Sequence, residues 1–151
     1  MKKTIIIFLF ICAGNAYSQD LKLNWLTDFN EAKQISAKQD KPILVYFTGS
    51  DWCAPCKKLK TDFFNTEKFV VESQKFVLLM VDLPRRNDII TPDQKRKNMI
   101  LMQDYNRRGS FPTLVGLDAD GKTLGNINGY SRSFGTDDYF AFLKKILKKY
   151  K

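Results

Sequence analysis

The 151-residue chain is predicted to form one α/β domain, built as a mixed central β-sheet with helices on both faces. Its predicted elements follow the order β-α-β-α-α-β-α-β-β-α. Early strands joined through helices pair in parallel, whereas two strands separated only by the turn 118–121 form an antiparallel hairpin. The length suffices for one hydrophobic core.

The elements of the first half are bounded by capping and breaking residues. Thr27 is expected to cap the first helix, and the string Asp40-Lys41-Pro42 ends it. The apolar runs that follow are typical of buried strands. The predicted elements cover 21–26 (extended), 27–39 (helix), 43–47 (strand), 57–64 (helix), 65–74 (helix) and 76–83 (strand).

The second half begins with a charged loop, 84–90, and a strong helix start at Thr91-Pro92-Asp93-Gln94. This helix is expected to end at Gly109, and Met99 and Met102, like Met80, are interpreted as core filler. Gly129 is expected to mark a bulge or a close approach. The predicted elements cover 91–108 (helix), 111–117 (strand), 122–127 (strand) and 136–150 (helix).

The first 18 residues are predicted to be a signal peptide, with the domain at 19–151. Lys2 and Lys3 precede an apolar run over 5–12, and the small residues Ala16 and Ser18 follow. The run is shorter than the ~20 residues that span a bilayer, so no membrane span should remain after cleavage. Cleavage after Ala16 and a retained anchor are the alternatives. We therefore expect an exported protein, in the periplasm or secreted.

Composition excludes several classes of site. The chain has no histidine, which excludes His-based metal sites and Cys/His catalytic pairs. Two thiolates cannot complete a four-ligand zinc site, so we expect no metal and no cofactor. The net charge is +9, but the basic residues are not interleaved with aromatic residues as they are in a nucleic-acid site. We interpret them as a solvated basic surface.

The chemistry of the chain centres on Cys53 and Cys56, the two cysteines that remain once Cys12 leaves with the signal peptide. They follow a buried strand and stand on the first turn of the next helix. The N-terminus of a helix stabilises a thiolate, which makes Cys53 the candidate nucleophile. Cys56, one turn further on, can resolve a mixed disulfide. A local structural staple is the alternative interpretation of the pair.

The string Trp52-Cys53-Ala54-Pro55-Cys56-Lys57, followed by Phe111-Pro112-Thr113 before a hairpin, resembles the thioredoxin superfamily. The resemblance covers about 25–150. Within the superfamily, the chain resembles exported bacterial thioredoxin-like proteins and the C-terminal domain of DsbD-type reductant carriers. The resemblance implies the thioredoxin fold, a cis bond before Pro112, and a docking surface in which Phe111 pairs with an extended substrate beside Trp52.

The chain departs from the superfamily at two positions. Tyr46 and Met80 stand where thioredoxin has a buried aspartate and a lysine that assist proton transfer from the second cysteine. We expect Asp51 or bulk water to substitute. Lys57 and Lys58 are candidates for lowering the pKa of Cys53. The residues between the cysteines lack the histidine of strong oxidants, which favours a reductant or a mild exchanger.

These observations predict an exported thiol:disulfide oxidoreductase that cycles Cys53 and Cys56 between dithiol and disulfide. Its partners would be protein or peptide disulfides and an upstream thiol redox protein, with no nucleic acid. One alternative is a non-catalytic thioredoxin-like module that binds clients beside a structural disulfide. Another is a dedicated thiol carrier for a single pathway, such as cytochrome maturation.

Overall fold

The computed structural model describes residues 23–131 and 135–151. Within them, four strands form one sheet in the order β2-β1-β3-β4. β1 pairs in parallel with β2 and antiparallel with β3, and β3 and β4 form the antiparallel hairpin. The predicted mixed sheet is confirmed. The strands are β1 Ile43–Thr48, β2 Val77–Asp82, β3 Thr113–Leu117 and β4 Thr123–Asn128.

In the described part of the chain, five α-helices surround this sheet, and the second continues without a break into the π-helical turn Lys60–Phe64. The helices are α1 Phe29–Gln39, α2 Ala54–Leu59, α3 Glu67–Ser73, α4 Pro92–Tyr105 and α5 Asp137–Tyr150. The element order matches the predicted one, except that the extended lead-in is reduced to a single parallel bridge between Leu26 and Leu79.

The side chains of β1 alternate between two hydrophobic layers, because successive residues of a strand point to opposite faces. Leu44 and Tyr46 face the layer that contains α2, the π turn, α3 and α5, and this layer includes both cysteines. Ile43, Val45 and Phe47 face the layer that contains α1 and α4. Helices therefore cover both faces, as predicted.

The π turn supplies the centre of the cysteine-side layer. Phe63 is fully buried, and its ring centroid lies 4.7 Å from that of Phe69 and 4.8 Å from that of Phe140. The neighbouring Phe64 packs at 4.6 Å against Tyr46 of β1. These aromatic contacts attach the π turn, in which the helix that begins with α2 ends, to the sheet.

Close packing of α5 on the hairpin depends on Gly116. A Cβ placed on this residue would lie 2.6 Å from Cδ1 of Ile146. That separation is shorter than side-chain contacts normally allow. The bare backbone of β3 thus lets α5 approach the sheet.

Two predicted helix boundaries and one predicted bulge position were wrong. The first helix is capped by Asp28 rather than Thr27, because the Asp28 carboxylate accepts the Glu31 N–H at 3.0 Å. α4 ends at Tyr105 rather than Gly109. A bulge or a close approach was expected at Gly129. The irregularity in strand pairing lies instead between Gly116 and Leu117, and no atom comes within 4 Å of a Cβ placed on Gly129, whose φ is +72°.

The prediction that Met99 is core filler was also wrong. Met99 is 42% exposed and Ile100 is 58% exposed, whereas Asn98 and Leu101 are buried. The inward stripe of α4 passes through 98, 101, 102 and 105, the spacing of one helix face. Met99 and Ile100 lie outside this stripe.

None of the helices within 23–131 and 135–151 is long and apolar enough to cross a membrane. The predicted signal peptide at 1–18 lies outside the described residues.

Candidate active site

Cys53 stands where the loop that follows β1 becomes helix α2. It is the N-cap of α2, and its Sγ accepts the Cys56 N–H at 3.2 Å. Cys53 and Cys56 form a disulfide, with their Cα atoms 5.2 Å apart. Pro55 lies in the first turn, where a missing N–H donor costs no helical hydrogen bond. The sequence therefore places the first sulfur at the positive end of the helix dipole.

Lys57 and Lys58, the candidates for lowering the pKa of Cys53, have different partners. The Lys57 ammonium donates to the Asp51 carbonyl at 3.0 Å, so it folds back over the loop before Cys53. Lys58 forms a 2.7 Å ion pair with Asp62 in the π turn. Of the two, Lys57 is the one directed toward the loop that carries Cys53.

The disulfide is nearly buried. Cys53 and Cys56 are each 2% exposed, less than expected for a nucleophile that must meet a client disulfide. Ala54 and Pro55 between them are exposed. A partner therefore reaches the first sulfur only by fitting closely against the surface around it.

Tyr46 lies under the second cysteine. Its hydroxyl donates to the Cys56 carbonyl at 3.3 Å, and the residue is 3% exposed. Desolvation by burial is the largest influence on this phenol and raises its pKa to about 12. The phenol is therefore neutral at physiological pH and acts as a hydrogen-bond donor to the Cys56 backbone, not as a base.

Trp52 directly precedes Cys53, and its side chain is held on two sides. Its indole N–H donates to the Leu83 carbonyl at 2.9 Å, and its ring meets Phe111 edge-on at 5.2 Å. Gly49 makes room for this arrangement, since a Cβ there would lie 2.2 Å from the indole ring. The predicted docking residues Trp52 and Phe111 are thus in contact.

The segment that carries Phe111 and Pro112 is held in place by neighbouring backbone. The bond between the two residues is cis, as the resemblance implied, and the Pro112 carbonyl accepts the Gly129 N–H at 2.8 Å. The Asn106 side chain bonds both the N–H and the carbonyl of Ser110. Phe111 packs against the layer that contains both cysteines.

Asp51 has a role that the sequence did not predict. Its carboxylate accepts the N–H groups of Arg85 at 3.1 Å and Arg86 at 3.0 Å, which joins the cysteine loop to the loop after β2. Desolvation raises the pKa of Asp51, but these N–H donors outweigh it and the net shift is downward. The carboxylate thus binds the loop after β2, and its expected role as proton acceptor for Cys56 stays a prediction.

Two further contacts join the same loops. The Ser50 N–H donates to the Asp82 carboxylate at 2.8 Å, and the Arg85 guanidinium lies 4.9 Å from the centroid of the Trp52 ring. The two residues of each contact are more than 30 positions apart in sequence, and no local sequence pattern predicts their pairing. Across the described ranges, no cluster of side chains has the composition of a metal site.

Comparison with known proteins agrees with this geometry. Residues 29–144 match the thioredoxin-like domain family. The chain belongs to the thioredoxin-like family. Its sequence is 34% identical to the disulfide bond reductase DsbH of Chlamydia pneumoniae, over 83% of this chain and 74% of that protein. A solved structure of a DsbH oxidoreductase superposes with a TM-score of 0.73 at 30% identity, covering 98% of this chain and 95% of that one.

The chain is also similar, at lower identity, to DsbD proteins. The chain is 29% identical to the thiol:disulfide interchange protein DsbD of Campylobacter jejuni, over 87% of this chain but only 20% of that protein. The oxidised C-terminal domain of Neisseria meningitidis DsbD shares the fold, with a TM-score of 0.53 at 19% identity over 76% of this chain and 89% of that one. Family membership and the Cys53–Cys56 disulfide together make this chain a thiol:disulfide oxidoreductase.

Proposed function

We propose that this thioredoxin-like protein reduces, or mildly exchanges, disulfides in exported proteins. The Cys53 thiolate attacks one sulfur of a client disulfide and expels the other as a thiolate. Cys56 then attacks Cys53 Sγ, which closes the Cys53–Cys56 disulfide and releases the second client sulfur. Two electrons pass to the client, so an upstream dithiol protein must reduce the pair before the next cycle.

One observation carries the assignment of roles. Cys53 Sγ occupies the N-cap position and accepts a backbone N–H, whereas Cys56 lies within the first turn above Tyr46. A thiolate at the first position is stabilised by the helix dipole and by that hydrogen bond. This difference between the two sites supports Cys53 as the nucleophile and Cys56 as the resolving thiol.

The surroundings of Cys53 support protein clients over small disulfides. Because Cys53 is 2% exposed, a client must dock before its sulfur comes within bonding distance. Trp52 and Phe111, both partly exposed, offer an apolar platform beside the buried Pro112 and its cis bond, suited to an extended peptide. Docking there would supply the orientation that productive exchange needs.

Two features support the direction and the compartment. Reduction is favoured by the absence of a histidine between the cysteines, and the relative of 34% identity is named a disulfide bond reductase. Export, to the periplasm or beyond, is favoured by the basic, apolar and small-residue pattern of residues 1–18.

The proposal is tested by trapping clients with Cys56→Ala expressed with its full N-terminal segment in a bacterial host. Without the resolving thiol, the mixed disulfide with Cys53 persists, and we expect client-linked species on non-reducing gels that vanish with dithiothreitol. The matched control is the Cys53→Ala, Cys56→Ala double variant, which should trap nothing. Mixed disulfides in the cytoplasmic fraction alone would contradict export, and none in any fraction would contradict the exchange mechanism.

The number of trapped clients separates general exchange from a dedicated carrier. A general reductase should give several mixed disulfides, whereas a carrier for one pathway should give a single band. The binding-module alternative predicts no trapping at all, together with a Cys53–Cys56 disulfide that does not exchange with glutathione.

A further inference from the structure

The Arg85 side chain is an exposed cation over Trp52, and its hydrogen-bond donors are available to a ligand. Its guanidinium lies 4.9 Å from the centre of the Trp52 ring, and Trp52 directly precedes Cys53 in the sequence. Within 23–131 and 135–151, no hydrogen bond or ion pair engages that guanidinium. Its five N–H donors therefore face solvent or an incoming partner.

The position of Arg85 is fixed by contacts on both sides. Its backbone N–H is held by the Asp51 carboxylate, and the Trp52 indole, over which its guanidinium lies, is held by the Leu83 carbonyl. Stacking of arginine on an aromatic ring leaves the edge of the guanidinium open for bidentate bonds. The loop thus presents a preorganised donor group at the margin of the Trp52 and Phe111 platform.

The neighbouring charges are already engaged. Asp51 and Asp82 accept backbone N–H groups from the facing loop, and Asp88 is paired with the Arg86 guanidinium. The charge of Arg85 contributes to lowering the pKa of Asp51 without forming an ion pair with it. Among the described residues the Arg85 guanidinium has no such partner, and its paired N–H donors suit a carboxylate.

We infer that Arg85 is a specificity-determining residue that binds a carboxylate of the client, so that the preferred substrates are protein or peptide disulfides with Asp or Glu near the reactive cysteine. The inference rests on the proposed function and names its substrate class. A client lying over Trp52 would shield the ion pair from water and strengthen it. The contact orients the client disulfide toward Cys53 and takes no part in the sulfur chemistry.

The test uses synthetic peptide disulfides that differ at one position, with Glu, Gln or Lys two residues from the cysteine. The second-order rate constant for reduction by the dithiol protein is measured for each peptide. We expect the wild type to favour Glu over Gln by about five-fold, the size of an exposed ion pair of about 1 kcal/mol. The Lys peptide should react more slowly than the Gln peptide.

Arg85→Gln should bring the Glu-to-Gln ratio close to one. The matched control is Arg86→Gln, which removes the same charge from the adjacent position where the guanidinium is already paired with Asp88. It should keep the preference. Raising the salt from about 20 mM to about 0.3 M should weaken the preference of the wild type, since exposed charges are screened.

Equal losses in Arg85→Gln and Arg86→Gln would overturn the inference in favour of a diffuse charge effect. So would a wild type that reduces all three peptides at the same rate, and in that case the proposed function would stand. Failure of the wild type to reduce any of the peptides or insulin would instead overturn the proposed function, and this inference with it.

Discussion

Cys53→Ser is expected to lower the rate of insulin reduction by dithiothreitol by about 10³-fold or more, to the uncatalysed level. A serine hydroxyl at the N-cap still accepts the Cys56 N–H, so the local fold is preserved, but it is not a nucleophile toward disulfides at neutral pH. Insulin precipitation measured at fixed dithiothreitol reports the rate directly.

Cys56→Ser is the matched control, because it makes the same chemical change at the other end of the pair, at the same burial. It should also lose turnover, yet it should still form one equivalent of mixed disulfide through Cys53. Mass spectrometry of the protein mixed with an oxidised peptide distinguishes the two variants. Mixed disulfide formed by Cys53→Ser, and none by Cys56→Ser, would reverse the assigned roles.

Phe63→Ala is expected to lower the free energy of unfolding by about 3–5 kcal/mol. Phe63 is fully buried and contacts the rings of Phe69, Phe140 and Tyr139, so truncation leaves a cavity that three elements border. Urea denaturation of the oxidised proteins, followed by far-UV circular dichroism, measures the change.

Ile100→Ala provides the comparison for that loss. It also truncates a large apolar side chain to alanine, but on the outer face of α4, where Ile100 is 58% exposed. We expect a change within about 0.5 kcal/mol. Similar losses in the two variants would contradict the packing described for the cysteine-side layer.

The fold was largely predictable because strong local signals agree with one another. The apolar runs at β1 and β2 have no competing interpretation, and the Thr91-Pro92 start of α4 combines two independent capping signals. The inward face of α4 was not predictable from hydrophobicity. Asn98 on that face is 2% exposed, and its amide donates to the Asp82 carbonyl at 2.7 Å, whereas Met99 faces outward.

The candidate site was predictable only in part. The positions of Cys53 and Cys56 follow from local sequence, since a strand followed by a helix start sets them without long-range information. The roles of Asp51 and Arg85 depend on a contact between two loops about 34 residues apart. The bond from Tyr46 to Cys56 likewise depends on how β1 packs under α2. Such pairings follow from the folded geometry and carry no sequence signature.

The most direct test of the account is the pH dependence of alkylation of Cys53 in reduced Cys56→Ala, where no other thiol of residues 19–151 competes. If the start of α2 activates this sulfur, the midpoint for reaction with iodoacetamide lies clearly below the about 8.5 of free cysteine, and the rate is already near its plateau at neutral pH. A midpoint at or above 8.5 would contradict the claim that the helix start makes Cys53 a nucleophile.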